Sequence, residues 1–240
     1  MADKRKDIIL LAFLLTLLVF VNYNFLDSAL QSFLSSGRMV HIERVIDGDT
    51  VVTSAGEHIR LLGINAPETT SKEPYSGQAK DYLTNLIENK SVQLKFTSDK
   101  VDKYGRTLAY IFLGNENVNV KMVEEGFANY YFYSGRDKYS STLEQAWNEC
   151  LQNEMNLCKP SSNVCGSCFR INADPEYITN ICPVSCNVDG WYFKGEGREK
   201  TALNGTIGAG QKQYFNISLS DSGGSLYLRD ASGNLVSWTG

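Results

Sequence analysis

Two short stretches and one downstream arginine hold most of this chain's capacity for chemistry. Val45-Ile46-Asp47-Gly48-Asp49-Thr50 sets two carboxylates around a glycine where an apolar strand begins to turn. Arg60-Leu61-Leu62-Gly63-Ile64-Asn65-Ala66-Pro67-Glu68 carries an arginine in an apolar run, then an amide and a carboxylate in a polar turn. Arg106 follows a Tyr104-Gly105 turn. Asp-Gly is ordinary hairpin chemistry, but a hairpin does not account for the arginine. A guanidinium directed into a strand-built interior is costly unless a carboxylate or another anion meets it. Carboxylates serve hard cations and proton transfer. Arginines serve anions, whose oxygens they grip two at a time.

Such groups need a rigid frame. Residues 39–52 and 57–64 are predicted strands joined by Ser54-Ala55-Gly56, a hairpin signal. Pro67 stops the second, having no N–H to give a ladder. Residues 78–88 carry Ala79, Tyr82, Leu83, Leu86 and Ile87 at helical spacing. Residues 91–96 and 107–113 are predicted strands flanking a charged turn, and 130–133 are extended. Residues 119–125 form a short helix ended by Gly126. Residues 140–158 form a longer one, with Leu143, Ala146, Trp147, Cys150 and Leu151 on one face.

The three motifs Val-Ile-Asp-Gly-Asp-Thr, Arg-Leu-Leu-Gly-Ile-Asn-Ala-Pro-Glu and Asp102-Lys103-Tyr104-Gly105-Arg106, in this order, closely resemble the staphylococcal nuclease (thermonuclease) family. The resemblance covers residues 39–158, about half of the 240. It implies a five-stranded OB-type β-barrel with packed helices. It also implies hydrolysis of DNA and RNA phosphodiesters with low sequence specificity and 3′-phosphate products. By the same resemblance Arg60 and Arg106 contact the phosphate and its developing charge, and Glu68 is the general base that draws a proton from water. Calcium is the implied cofactor, with Asp49, Asn65 and the Ala66 carbonyl as ligands and Thr50 supporting its water shell. The family usually has aspartate where this chain has Asn65; an amide oxygen brings less charge to the metal. Lys103, Tyr104, Tyr131 and Tyr133 would border the nucleotide, where ring stacking is sequence-tolerant. Barrel packing is the plainer account of Tyr131 and Tyr133. A catalytically silent module for nucleic acid or protein contact is the alternative function, although a binder needs no general base.

The formal charge is −4, which argues against a protein that coats nucleic acid non-specifically. Lys4-Arg5-Lys6 precedes an almost wholly apolar run over residues 8–21. Its length approaches the ~20 residues that cross a bilayer. We read residues 1–29 as a signal anchor, with the rest outside the cell membrane by the positive-inside bias, and 30–38 as a linker. Secretion after signal cleavage is the alternative.

Composition shifts after Cys158. A linker over 159–163 leads into a glycine-rich region of short alternating segments. Cys182-Pro183-Val184-Ser185-Cys186 and the later Leu226-Tyr227-Leu228-Arg229 make residues 164–240 similar to a lamin-tail domain, an immunoglobulin-like β-sandwich whose ligand the residues do not identify. All six cysteines, Cys150, Cys158, Cys165, Cys168, Cys182 and Cys186, lie between residues 150 and 186. Outside the membrane thiols oxidise, so disulfides are expected over a zinc site. Cys182 with Cys186 is the preferred pair. The chain is expected to act as a monomer.

Overall fold

Apolar residues of the first strands set the barrel wall, Ile42 and Val45 both facing inward because the first strand is bulged between Ile42 and Arg44. Ile42, Val45, Val51, Ile59 and Leu61 are buried in one core with Leu94, Ala109 and Ile111. The computed structural model describes residues 37–97, 101–132, 135–173, 176–195, 200–217 and 225–239. Strands β1 (Arg38–Asp47), β2 (Thr50–Thr53), β3 (His58–Leu61) and β4 (Ile64–Asn65) come first. Helix α1 (Ser76–Ile87) precedes β5 (Ser91–Lys95), β6 (Thr107–Leu113) and β7 (Glu116–Asn117). Helix α2 (Val118–Glu124), β8 (Asn129–Tyr130) and α3 (Ser140–Asn153) follow.

β1 pairs with β2, β2 with β3, and β5 lies between β1 and β6. The parallel pairing of β3 with β6 closes the ring. The expected five-stranded barrel is thus present. The predicted strand over 39–52 is divided in two, because the chain reverses at Gly48. A Cβ there would come within 2.7 Å of the Ala66 Cβ and 2.8 Å of the Ala79 Cβ, so only glycine lets this turn pass between the next turn and α1. Asn117 caps α2, accepting from the Asn119 and Val120 amides. Asn119, fully buried, donates to the Leu62 carbonyl at 2.7 Å and accepts from the Ile111 amide at 2.9 Å, tying α2 to the barrel.

The long helix expected over 140–158 stops at Asn153. Glu154 takes the left-handed conformation (φ 51°). A short 3₁₀ turn, Asn156–Cys158, then folds back so that Cys158 is bridged to Cys150.

The remainder is all β. β9 (Phe169–Ala173), β10 (Glu176–Asn180), β11 (Cys186–Asn187), β12 (Tyr192–Lys194) and β13 (Lys200–Ala202) lead to β14 (Thr206–Ile207), β15 (Lys212–Tyr214), β16 (Leu226–Arg229) and β17 (Leu235–Thr239). They form sheets β15-β10-β9 and β13-β12-β16-β17 with a small β11-β14 pair. A second core collects Phe169, Ile178, Val188, Trp191, Phe193, Leu226 and Leu228.

All six cysteines are bridged, but Cys182 is not joined to Cys186. The pairs are Cys150–Cys158, Cys165–Cys186 and Cys168–Cys182. Strand register explains the correction. Asn180 pairs with Phe169 across β10 and β9, and the Ile181 amide donates to the Cys168 carbonyl, which brings Cys182 beside Cys168. Cys186 is carried away into β11, where it faces Ile207. The sulfurs of Cys165, Cys168 and Cys186 lie close together, yet each is in a bridge and offers no thiolate to zinc.

Met39–Gly240 forms one compact unit. Lys159 and Ser161, in the stretch expected as a linker, exchange backbone hydrogen bonds with Leu235 of β17. No helix among the described residues is long and apolar enough to cross a membrane. The anchor expected at residues 1–29 lies outside the described residues.

Candidate active site

The β1–β2 turn delivers Asp49, and the adjoining strand ends deliver its partners. Thr50 on β2 is the cross-strand partner of Arg60 on β3. The Arg60 side chain therefore runs alongside the turn, and its Nη2 lies 3.0 Å from Asp49 Oδ2. The same nitrogen is 3.3 Å from Asn65 Oδ1, while Nη1 donates to the Leu61 carbonyl at 2.8 Å. Asp49 Oδ2 also accepts from the Ala66 amide at 2.7 Å, which joins the two motifs directly. Both charged side chains are largely withdrawn from solvent, at 12% and 8% exposure. The inward arginine thus has the carboxylate partner that its burial demands.

Asp47 sits just behind. Its Oδ1 accepts from the Asp49 amide at 3.0 Å. Burial, with the Asp49 charge next, raises its pKa to about 6.

Arg106 comes from the turn before β6, whose Thr107 pairs with Ile59 of β3. Its Nη1 reaches Thr50 Oγ1 at 3.4 Å, and that hydroxyl donates to Asp49 Oδ1 at 3.1 Å. Asp102 holds Arg106 in place: Oδ2 accepts from Nε at 2.7 Å, and Oδ1 accepts from the amides of Arg106 and Tyr104. Burial alone would raise the Asp102 pKa, but these bonds hold it below the ordinary carboxylate value. Asp102 was visible in the sequence only as part of a motif; its aim at the guanidinium was not.

Tyr104 presents an exposed ring, with the Arg106 guanidinium 5.6 Å and the Lys103 ammonium 5.2 Å from its centroid. These three groups form one basic and aromatic corner. The Tyr131 amide donates to the Gly63 carbonyl at 2.8 Å, beside the start of β4. Tyr133 lies outside the described residues.

Asn65 pairs through its backbone with Asn129 of β8. Its side chain is buried, and its Nδ2 has no hydrogen-bond partner among the described residues. Glu68 follows on an irregular loop that leads to α1. Its amide donates to Glu73 Oε2 at 3.1 Å, and its carbonyl accepts from the Glu73 amide at 3.1 Å. The loop is therefore fixed through Glu73, a residue that sequence reasoning passed over.

An oxygen-lined turn meets two arginines, and the loop that bears Glu68 begins just after Ala66, whose amide is bound to that turn. The sequence profile of the staphylococcal nuclease homologue family matches residues 58–159. The chain is 39% identical over 128 residues to the thermonuclease of Staphylococcus intermedius, spanning 50% of this chain and 76% of that one. It is 36% identical over 121 residues to the thermonuclease of Staphylococcus hyicus, covering 48% and 72% respectively. It is also 32% identical over 127 residues to the SPbeta prophage-derived endonuclease YokF of Bacillus subtilis (strain 168), covering 49% and 43%. This chain belongs to the staphylococcal nuclease family.

Proposed function

We propose that the protein is a calcium-dependent nuclease that hydrolyses phosphodiester bonds in DNA and RNA with little sequence preference, leaving 3′-phosphates. One observation carries this reading. Arg60 and Arg106 both reach the Asp49-Thr50 turn, the first through Asp49 and the second through Thr50. Two fixed guanidinium groups in a partly dried site are suited to an anion that gains charge as it reacts.

In this reading Arg60 and Arg106 bind the phosphate oxygens, and their bonds strengthen as charge develops there. Glu68 takes the proton of the attacking water. Asp102 keeps Arg106 aimed, and Tyr104 offers its ring to a base. The donor set suits a hard cation: Asp49 Oδ2 and Asn65 Oδ1 converge on one point, held in this structure by the Arg60 Nη2. Calcium held by Asp49, Asn65 and the Ala66 carbonyl would supply added stabilisation of the phosphoryl charge.

The apolar run at residues 8–21 supports tethering to the cell membrane with the nuclease outside, which protease added to intact cells would test. Cleavage after residue 37 is the expected result. Protection until lysis would refute it. For residues 164–240 we propose a lamin-tail-like identity, on the motif and on its all-β sheets.

The deciding assay is release of acid-soluble nucleotides from DNA and from RNA by the purified full chain. Release with calcium and its loss with chelator are expected. Binding of nucleic acid without release would favour the silent module.

A further inference from the structure

The C-terminal β region grips the candidate site from behind with two buried cations. Lys194, at the end of β12, places Nζ 3.0 Å from each carboxylate oxygen of Glu73. The two side chains are only 3% and 4% exposed. Glu73 is the residue whose carboxylate and amide hold both backbone groups of Glu68. Positional information therefore runs from Lys194 through Glu73 to Glu68 in two steps, the first of which spans 121 residues of sequence.

The second cation works on the other motif. Arg229, at the end of β16, is 1% exposed. It donates to Asn129 Oδ1 at 2.6 Å and to the carbonyls of Leu157 and Gly233. Asn129 is the backbone partner of Asn65. Around these bonds Tyr227 packs edge-on against Trp147 at 5.0 Å, and its hydroxyl donates to the Tyr130 carbonyl at 3.3 Å. A Cβ on Gly233 would collide with Pro74, so the β16–β17 turn lies directly on the loop that carries Glu68.

Burying charged pairs is an expensive way to join two surfaces; apolar residues of similar volume often do it as well or better. Here one buried cation ends on the loop that carries Glu68, and the other on the strand paired with Asn65. The loop from 67 to 75 contains no helix or strand, and Lys72 and Tyr75 hold positive φ in it. Such a loop takes its position from its tethers. We propose that Lys194 and Arg229 are positioning residues of the nuclease site, which makes the C-terminal region a working part of the enzyme. The proposal rests on the reading of Glu68 and Asn65 given above.

The test uses the full chain with Lys194→Met and with the double variant Glu73→Gln/Lys194→Met. Three quantities are measured: amide exchange at Glu68, the melting temperature, and kcat and KM on one DNA substrate. Lys194→Met leaves the Glu73 carboxylate buried without its cation, so the carboxylate turns away and releases the Glu68 amide. Faster Glu68 exchange is expected, with kcat lower by about ten- to a hundredfold and KM nearly unchanged. In the double variant a neutral amide oxygen can still accept from Glu68, so protection and most of kcat should return. Unchanged Glu68 exchange, or wild-type kcat, in a folded Lys194→Met protein would overturn the proposal. So would a double variant no better than the single one.

If Lys194→Met does not fold, Arg229→Lys decides. Lysine keeps the charge but cannot reach the Asn129 amide and both carbonyls together, so kcat should fall by about tenfold. A folded Arg229→Lys with wild-type kcat would refute the idea. Undiminished turnover by Glu68→Gln would instead remove the underlying reading, a result distinct from wild-type turnover by Lys194→Met.

Discussion

Thr50 and Arg60 face each other across the β2–β3 ladder, and the Thr50 hydroxyl is also the point that Arg106 reaches, 3.4 Å away. One small side chain thus links Arg106 to the Asp49 carboxylate, which Arg60 meets directly. Replacing it by valine keeps the β-branched shape that suits a strand but removes both bonds. At about 1 kcal/mol per lost hydrogen bond, Thr50→Val should lower kcat about five- to thirtyfold. Steady-state kinetics beside a thermal melt will check this, and the melt should fall by only a few degrees, ~2–4 °C per kcal/mol.

Glu68→Gln removes the proposed base while keeping size and shape. Turnover should fall by roughly 10²–10⁴ with substrate binding retained. Parallel measurement of DNA affinity and kcat separates the two, and undiminished turnover would sink the role.

Asn65→Asp adds a negative charge beside Asp49, at a position already 3.3 Å from the Arg60 guanidinium. The calcium needed for half-maximal activity should drop. Titration of both forms, by activity and by calorimetry, tests this; an unchanged requirement would count against Asn65 as a ligand.

Asp102 gives a dependence on pH whose sign is fixed by its environment. Hydrogen bonds from Arg106 and Tyr104 outweigh burial and hold its folded pKa below 3.8. The unfolded chain therefore binds the proton more readily. The stabilisation is complete well above 3.8 and is lost as pH falls through the lower, folded value. Asp102→Asn should melt below the wild type at neutral pH, and the gap should close in strong acid. A gap of constant size across that range would contradict the assignment.

The barrel was legible because its signals are local. The strand at 107–113 has the predicted bounds, and α1 begins only two residues before its predicted start at 78. The turn at Gly48 was signalled by Asp-Gly, but its need for glycine depends on Ala66 and Ala79, which no local pattern reveals. The predicted helix over 140–158 overran because the turn at Glu154 has no glycine to mark it. Asp49, Arg60 and Asn65 lie within seventeen residues and were found together. Glu73 and Lys194 lie 121 apart, and neither type nor spacing links them. Arg229 looked like the polar side of an alternating strand. That side is buried against Asn129 and the 3₁₀ turn at Leu157. The cysteine pairing was missed for a related reason, since it follows β9–β10 register rather than proximity along the chain.

Strand β16 has no outer face. Leu226 and Leu228 enter one core, while Tyr227 enters the other beside Trp147. During synthesis the barrel residues are finished by Cys158, yet Tyr227 emerges roughly 70 residues later, at ~5–20 residues per second a wait of roughly 4–14 s. Until then Trp147 lacks its Tyr227 contact and Asn129 lacks the bond from Arg229. A growing chain would carry an incomplete catalyst, and its full nucleic-acid-cutting power would appear only once β16 has docked. The order of translation itself then serves as a delay on activity.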